Sequence, residues 1–392
     1  MQFSNIIGQQ EIIRQLQEMV DHNRLSHALL FLGKEGSGAL PLALAFSGYV
    51  VSQSEKSKPA AATVSLFGEE PAAAISSSHG SELAEKYIHP DIHYSYPVIT
   101  KKSGDKPIST DYITEWREFI KLYPYGNVYD WLQFIGAENK QGNITAAECA
   151  DIIRKLNLKS FESEYKILVL WMAEFLGKEG NKLLKLIEEP PANTLFVLVA
   201  ENEDMVLPTI ISRCQTVRIP LIEITEVATA LIERSKLNED QANQIAGVSE
   251  GNYREALQLI QHAEEDWQGL LREWLNAVLK TGPVAQVKWV DIISQQGREK
   301  QKQFLRYFTH LLEQSIRLRT MGEDRLPLTG AEKDFALRLN KLCDVSQQKA
   351  ITEELDRASY YIERNANAKM LFMALTIKLY HIIANKSAIE VS

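Results

Sequence analysis

The stretch of residues 165–220 constrains the fold of this chain more than any other part of the sequence. Its two apolar runs, residues 167–171 and 195–200, have the length and the β-branched character of buried strands. Between them, residues 178–188 repeat apolar side chains at helical spacing. A strand, a helix and a second strand in this order predict a βαβ unit, and hence a parallel sheet with helices on its faces.

Composition limits the class of protein. A chain of 392 residues, 45% of them apolar, is long enough for two or three globular domains. No apolar segment reaches the length that crosses a bilayer, and the N-terminal residues lack the features of a signal peptide, so we expect a cytoplasmic protein. Cys149, Cys214 and Cys343 fit no short-spaced metal or disulfide framework and are predicted to be free thiols. The net charge of −8 disfavours general binding of nucleic acid, although it leaves room for a local basic patch.

Two ordered blocks lie within residues 165–220. Residues 181–191 read NKLLKLIEEPP, and residues 207–214 read LPTIISRC after an intervening strand. These blocks resemble the core of the clamp-loader subunits of bacterial DNA polymerase III, which are AAA+ proteins, and the resemblance extends from Phe3 to about Leu259. It implies an α/β fold with a parallel-sheet core of the AAA+ P-loop type and a helical lid, followed by an all-α C-terminal collar domain.

The resemblance also implies domain boundaries and partners. The implied domains are residues 1–221 for the core, with an insertion at about 52–135, residues 222–266 for the lid, and residues 267–392 for the collar, which serves oligomerisation. Amphipathic patterns over residues 225–235, 238–246 and 252–263 fit the three helices of such a lid. The implied partners are the tau/gamma ATPase subunits and the delta subunit of a clamp loader, the sliding clamp and primed DNA, with no membrane partner.

A glycine-rich loop follows a short apolar run at residues 26–32. The glycines of a phosphate-binding loop are present as Gly33, Gly36 and Gly38. A working loop also needs a lysine for the β and γ phosphates and a hydroxyl for Mg²⁺, but these positions hold Ala39 and Leu40. Lys34 stands at the start of the loop, where its side chain is not placed to replace the missing lysine.

The acidic residues that would hold Mg²⁺ and polarise water are also missing. The strand at residues 167–170 should end in them, but Trp171, Met172 and Ala173 follow, and the carboxylate of Glu174 is displaced from the position that the family uses. Hydrolysis of ATP by this chain is therefore not expected. We interpret the loop as a vestigial glycine-rich turn kept for packing, with no cofactor required and ATP at most bound passively.

Two arginines are candidates for nucleotide-linked roles. In the resembling family, the Ser-Arg-Cys sequence projects its arginine into the ATP site of the neighbouring subunit, which makes Arg213 the predicted finger, with Ser212 and Cys214 as structural neighbours. The alternative is a surface arginine paired with a local carboxylate. Arg254 matches a nucleotide-sensing arginine in the lid of the family. Because the loop lysine is missing, we expect Arg254 instead to close the lid through a salt bridge.

The insertion carries weaker signals. Residues 52–81 are rich in Ser, Ala, Pro and Glu and predict a mobile segment, in the place where the family often carries a four-cysteine zinc module. Since no cysteine precedes Cys149, the zinc is expected to be absent, and His79, His89 and His93 are interpreted as structural or exposed. The sequence TVSLF at residues 63–67, which includes Val64 and Phe67, resembles the short Leu-Phe peptides that bind the hydrophobic groove of a sliding clamp. The alternative is that Leu66 and Phe67 form an apolar pair by chance.

Three local structures are predicted after that segment. Residues 110–122 have the apolar spacing of a helix, and residues 130–135 are interpreted as a short strand. Thr145 and Glu148 have the form of a capping box, which would open a helix.

The sequence therefore favours a clamp-loader subunit that does not hydrolyse ATP, supplies Arg213 to a neighbouring subunit and acts as a rigid scaffold. Two alternatives stay open. One is an ATPase subunit of the tau or gamma type, which Ala39, Leu40 and Trp171 disfavour. The other is an interaction scaffold that keeps only the shell of an AAA+ protein.

Overall fold

The computed structural model describes residues 1–56, 79–100, 104, 106–137, 140–261, 267–321, 330–363 and 366–384. The chain divides into two compact units, Met1–Gln261 and His262–Ser392. The first unit holds the sheet, and the described residues of the second form helices and the segments that connect them. The fold class predicted from the sequence, a parallel-sheet α/β core followed by an all-α C-terminal region, is confirmed.

The sheet of the first unit has five strands. They are β1 (Ala28–Gly33), β2 (Ile92–Ser95), β3 (Lys166–Trp171), β4 (Thr194–Ala200) and β5 (Gln215–Ile219). Their order is β2-β3-β4-β1-β5, and every pair of neighbours is parallel. β3 pairs with β4 in the register that sets Lys166 opposite Thr194, which confirms the two parallel strands of the predicted βαβ unit. The helix predicted between them at residues 178–188 is α-helical only at Leu184–Glu188, because the preceding residues belong to a 3₁₀ segment, Ala173–Leu183.

Both faces of the sheet are covered, which explains the continuous apolar runs of its central strands. Alternate residues enter two separate apolar clusters: Phe31, Val169 and Val197 belong to one, and Leu30, Leu168 and Phe196 belong to the other. Successive side chains of a strand point to opposite faces, so a strand buried on both sides must be apolar at every position.

Eleven α-helices are described in the first unit. They are α1 (Gln10–Asp21), α2 (Ala39–Lys56), α3 (His79–Glu85), α4 (Ile113–Leu122), α5 (Val128–Phe134), α6 (Ala146–Leu156), α7 (Leu184–Glu188), α8 (Pro208–Ile211), α9 (Ile224–Ser235), α10 (Glu239–Ser249) and α11 (Tyr253–Gln261). Short 3₁₀ segments lie at Phe3–Asn5, Ser109–Tyr112, Ala173–Leu183 and Glu203–Met205. The helices predicted over residues 110–122 and the three predicted for the lid are confirmed.

The prediction of a strand at residues 130–135 is wrong, because this segment belongs to α5. Asn127 and Asp130 form a reciprocal cap at its start: the Asp130 N–H donates to Asn127 Oδ1 at 3.0 Å, and the Asn127 N–H donates to Asp130 Oδ2 at 3.0 Å. Trp131 and Leu132 are buried within the helix. The cap satisfies N–H groups that a helix start otherwise leaves unpaired, and it fixes where the helix begins.

Thr145 does cap α6, since its hydroxyl accepts a hydrogen bond from the Glu148 N–H at 3.2 Å. The reciprocal half of the predicted capping box is absent. The Glu148 carboxylate instead accepts from the Ser109 N–H and the Ser109 hydroxyl, both at 2.6 Å. Glu148 is buried, so these two bonds supply the partners that its charge requires.

The prediction of a mobile segment over residues 52–81 is wrong at both ends. Residues 52–56 continue α2, and residues 79–81 open α3. The segment proposed to resemble a clamp-binding peptide, residues 63–67, lies outside the described residues. In the described ranges, no group of three or more His, Cys, Asp or Glu side chains is placed to hold a metal ion.

The second unit is a bundle with an aromatic core. Its helices are α12 (Trp267–Asn276) with a π-helical continuation at Ala277–Thr281, α13 (Pro283–Ser294), α14 (Arg298–Met321), α15 (Gly330–Leu342), α16 (Val345–Glu363) and α17 (Ala368–Ala384). The Trp274 and Trp289 rings stack with centroids 4.5 Å apart, and the buried Phe304 and Phe372 surround them. Over the described part of both units, none of the helices is apolar for long enough to cross a bilayer.

Candidate functional site

The glycine-rich loop connects the end of β1 to the start of α2, as the sequence predicted. Gly36 and Gly38 have φ angles of 73° and 92°, in the left-handed region that glycine adopts without steric cost. The turn therefore favours glycine at both positions. Gly36, Ser37 and Gly38 are nevertheless buried, whereas Lys34 is exposed to solvent.

Groups from three distant parts of the first unit cover this loop. A Cβ atom placed on Gly36 would lie 1.8 Å from Asn252 Oδ1, and one placed on Gly38 would lie 3.1 Å from the ring of Tyr125. The Tyr253 N–H donates to the Gly36 carbonyl at 3.3 Å, and Gln9 Nε2 donates to the Ser37 carbonyl at 3.2 Å. The loop is thus covered by atoms of the chain itself.

Arg254 holds this cover in place from the first turn of α11. Its side chain is only 4% exposed. Nε and Nη2 donate to the two carboxylate oxygens of Asp130 at 2.5 and 2.6 Å, and Nη1 donates to Glu35 Oε1 at 2.8 Å. The other Glu35 oxygen accepts from Asn127 Nδ2 at 2.9 Å. The salt bridge predicted for Arg254 is confirmed, and it joins α11 to the loop and to α5.

This network sets the charge at the loop. A phosphate-binding loop works because its N–H groups and a lysine present positive charge to the anion. Here the two carboxylates of Glu35 and Asp130 stand beside the loop, and the one buried guanidinium is bonded to both. The arrangement holds α11 against the loop, and the guanidinium of Arg254 is already bonded to two carboxylates.

The end of β3 is apolar and tightly packed. Trp171 is 2% exposed. The centroid of its ring lies 5.1 Å from the ring centroid of Trp116 and 6.0 Å from that of Phe119. Beyond it, Glu174 Oε1 accepts hydrogen bonds from the backbone N–H groups of Glu201 and Asn202 at 2.9 and 3.3 Å. Burial raises the pKa of the Glu174 carboxyl above its usual range. Glu174 therefore fastens the turn after β4.

Arg213 lies just beyond α8, away from the Arg254 network. Its Nη1 donates to the Thr209 carbonyl at 2.8 Å and to the Ser212 hydroxyl at 3.3 Å, and its Nη2 pairs with the Glu188 carboxylate. None of these partners belongs to the glycine loop. Cys214 is half-buried, and burial raises the pKa of its thiol to about 11, so it stays protonated at neutral pH.

Comparison with known proteins identifies the family. The family model described as "DNA polymerase III, delta subunit" matches residues 8–223, which is more than half of the chain. The chain belongs to this family. Within the match lie the glycine loop, the βαβ unit and the Ser-Arg-Cys sequence, whereas Arg254 lies outside it.

Individual relatives of this DNA polymerase III family member are distant. The delta-prime subunit of DNA polymerase III from Bacillus subtilis is 25% identical over 65% of the chain and 60% of its own length. The tau subunit from the same organism is 24% identical over 73% of the chain and 41% of its own length. A solved structure, a gamma-subunit-related protein from Thermotoga maritima, covers 94% of the chain and is itself covered to 99%, with 16% identity and a TM-score of 0.39.

Sequence reasoning about this family member identified the loop and Arg254 but missed what surrounds them. Glu35 and Asn252 are adjacent to recognised features, and Asn252 has the signal of a helix cap, because its Oδ1 accepts from the Glu255 N–H at 3.1 Å. Asp130 was assigned to a strand. For Tyr125 the sequence contains no signal, because its contact with Gly38 depends on the tertiary fold.

Substituting Gly36 by alanine is expected to open the lid. The new methyl group would require a strained φ, which costs about 1–2 kcal/mol, and would displace Asn252 from its cap, which costs about 1 kcal/mol more. Gly136→Ala is the matched control, since Gly136 has φ 69° and nothing within 4 Å of the added Cβ. Hydrogen exchange of the α11 amides should accelerate strongly in the first variant alone. Equal exchange in the two variants would contradict the described closure.

Proposed function

We propose that this member of the DNA polymerase III family is the delta-prime-type subunit of a clamp loader, which does not hydrolyse ATP and supplies Arg213 to a neighbouring ATPase subunit. The observation that carries the proposal is the sealed glycine loop, held shut by Arg254 between Glu35 and Asp130. A subunit whose nucleotide site is filled by its own lid has a fixed shape in every stage of an ATP cycle. Such rigidity suits a scaffold.

Nucleotide binding would require this site to be rebuilt. A phosphate at the loop would have to displace Asn252 and bring negative charge beside Glu35 and Asp130. Separating Arg254 from its carboxylates would leave buried charge without a partner, which typically costs about 3–5 kcal/mol. The positions of the missing lysine and hydroxyl are the buried Ala39 and Leu40, which pack into the core of the sheet. Each of these features disfavours the binding of ATP at the loop.

The finger role of Arg213 rests on its place and chemistry. Arg213 lies just after α8, and its ion pair joins it to a glutamate that is about half exposed. Pairs of this kind stabilise a protein by only about 0–1 kcal/mol, so release of the guanidinium to a phosphate of another subunit costs little. The tau/gamma and delta subunits, the sliding clamp and primed DNA are the proposed partners. The cytoplasmic location expected from the sequence is part of this proposal.

Binding and assembly assays test the proposal directly. We expect a fluorescent ATP analogue to show no saturable binding to the full chain, and ATP turnover by the chain alone to stay at background. The cognate tau/gamma subunit serves as the positive control under the same conditions. We also expect the chain to co-elute with the tau/gamma and delta subunits during size-exclusion chromatography.

Two results would favour other functions. Measurable ATP turnover by the isolated chain would indicate an ATPase subunit of the tau or gamma type, the class of a second relative with a long match. A chain that binds no nucleotide and also fails to join the other loader subunits would be an interaction scaffold with an AAA+ shell.

A further inference from the structure

A cavity of about 350 Å³ lies in the helical unit between α12, with its π-helical continuation, and α15. Its apolar lining is formed by Leu275, Leu279, Phe335, Leu339 and Leu342. Pockets that bind ligands in proteins usually measure about 300–1,000 Å³, so the space is adequate for one or two large side chains or a small molecule. Leu342 is 41% exposed, and this places apolar surface at the cavity mouth.

Three cations line the same cavity. Arg272 and Lys280 belong to the α12 side and Arg338 to α15, whereas Asp334 is the one carboxylate of the lining. Across the part of the chain that the structure describes, none of the three cations forms an ion pair or a hydrogen bond. Elsewhere in this unit Lys369 pairs with Asp291 at 2.6 Å, so its exposed cations do find local carboxylates. The three cations at the cavity, in contrast, stabilise no ion pair within the described residues.

The spacing of the cations indicates an extended ligand. Arg272 and Lys280 are eight residues apart on one wall, which corresponds to about 12 Å along a helix axis, and Arg338 stands on the opposite wall. A single small anion is too short to meet both ends of such a row. A peptide segment with several carboxylates and a large apolar residue can meet them while its apolar side chain packs against the apolar lining.

We infer that this cavity, which serves as a binding groove between α12 and α15, binds an acidic segment of a partner protein, anchored by one or two large apolar side chains. The recognition mode is that of an amphipathic segment in an apolar groove, with arginine and aromatic residues at the contact. Burial of the apolar anchor supplies most of the affinity, and the exposed cations contribute orientation and faster association. Neither Arg213 nor the glycine loop takes part in this site.

A peptide selection tests the inference without knowledge of the natural partner. The probe is a displayed library of random 12-residue peptides, selected on the full chain and then measured one by one by fluorescence anisotropy. We expect the enriched peptides to combine Asp or Glu with Leu, Phe or Trp. Binding should weaken at least tenfold for Lys280→Glu with Arg338→Glu, and should persist for the matched pair Lys288→Glu with Lys341→Glu. Lys288 and Lys341 are exposed, and neither lines the cavity.

Several outcomes would overturn it. Failure to enrich peptides, enrichment of peptides without acidic residues, or equal weakening by both double variants would each remove the acidic segment as the occupant. Sedimentation velocity of the free chain distinguishes a partner protein from a second copy of this chain as the occupant. A second copy is an alternative because the net charge of −8 leaves acidic surface on this chain too. Self-association that disappears in Lys280→Glu with Arg338→Glu would assign the groove to a second copy instead.

Discussion

Replacing Arg213 by alanine is expected to leave a reconstituted clamp loader assembled and to lower ATP hydrolysis at the neighbouring site by roughly a hundredfold or more. The physical reason is that a guanidinium is permanently charged and can donate two parallel hydrogen bonds to phosphate oxygens as charge develops on the γ-phosphate. The measurement compares ATP turnover for the two assemblies, each containing the cognate ATPase subunits, the delta subunit, the clamp and primed DNA.

The ion pair between Arg213 and Glu188 provides the decisive control. If Arg213 only stabilises its own surface, Glu188→Gln should lower turnover as much as Arg213→Ala does. If Arg213 acts across the interface, Glu188→Gln releases the guanidinium, and turnover should stay the same or rise. Arg213→Lys should recover only part of the activity, since an ammonium lacks the planar fork of arginine. Unchanged turnover with Arg213→Ala in an intact assembly would reduce the role of this chain to that of a scaffold.

Substituting Arg254 by alanine is expected to destabilise closure of the lid by about 3 kcal/mol. The loss removes the guanidinium that is bonded to both Glu35 and Asp130, and both side chains are at most one-fifth exposed. At roughly tenfold for each 1.4 kcal/mol, hydrogen exchange of the α11 amides should accelerate by about a hundredfold. The same experiment on Arg218→Ala gives the baseline, because Arg218 is 69% exposed and its pair with Glu203 contributes at most about 1 kcal/mol.

A triple variant separates charge from packing at this site. Arg254→Met with Glu35→Gln and Asp130→Asn removes the guanidinium and both carboxylates while keeping similar shapes, and it should recover much of the lost protection. Protection as poor as in Arg254→Ala would mean that the geometry of the guanidinium itself, and not uncompensated charge, closes the lid. Exchange equal to that of Arg218→Ala in the single variant would show that the network does not hold the lid.

The sequence predicted those parts of the fold that local patterns encode. The apolar runs of β3 and β4 are too short and too β-branched for helices, and their burial on both faces is what the pattern requires. The error at residues 130–135 has a local cause. The run Trp131-Leu132 reads equally well as a strand, and the cap formed by Asn127 and Asp130 decides for a helix.

The candidate site was predictable only in part, for a different reason. Arg254 was recognised from the turn before α11, and its salt bridge followed from the missing lysine. Its partner Asp130 is 124 residues away in the chain, so the pairing depends on how the insertion packs against the loop. Propensity and periodicity carry no information about such contacts. The contact of Tyr125 with Gly38 is equally unpredictable, because Tyr125 lies in the connection between α4 and α5 and reaches the loop only in the folded chain.

Trp171 restricts how this chain can change over evolutionary time. Its ring is packed against two aromatic rings of α4, so the end of β3 and the insertion support one another. An aspartate at this position would lose packing that typically amounts to about 3–5 kcal/mol for a buried tryptophan, and it would also bury a carboxylate among aromatic rings. A single substitution that introduces an acidic residue at this strand end is therefore expected to give a poorly folded protein. The tight packing of this apolar strand end therefore limits the substitutions that the chain tolerates there, and it keeps later variants of the chain in the same fold.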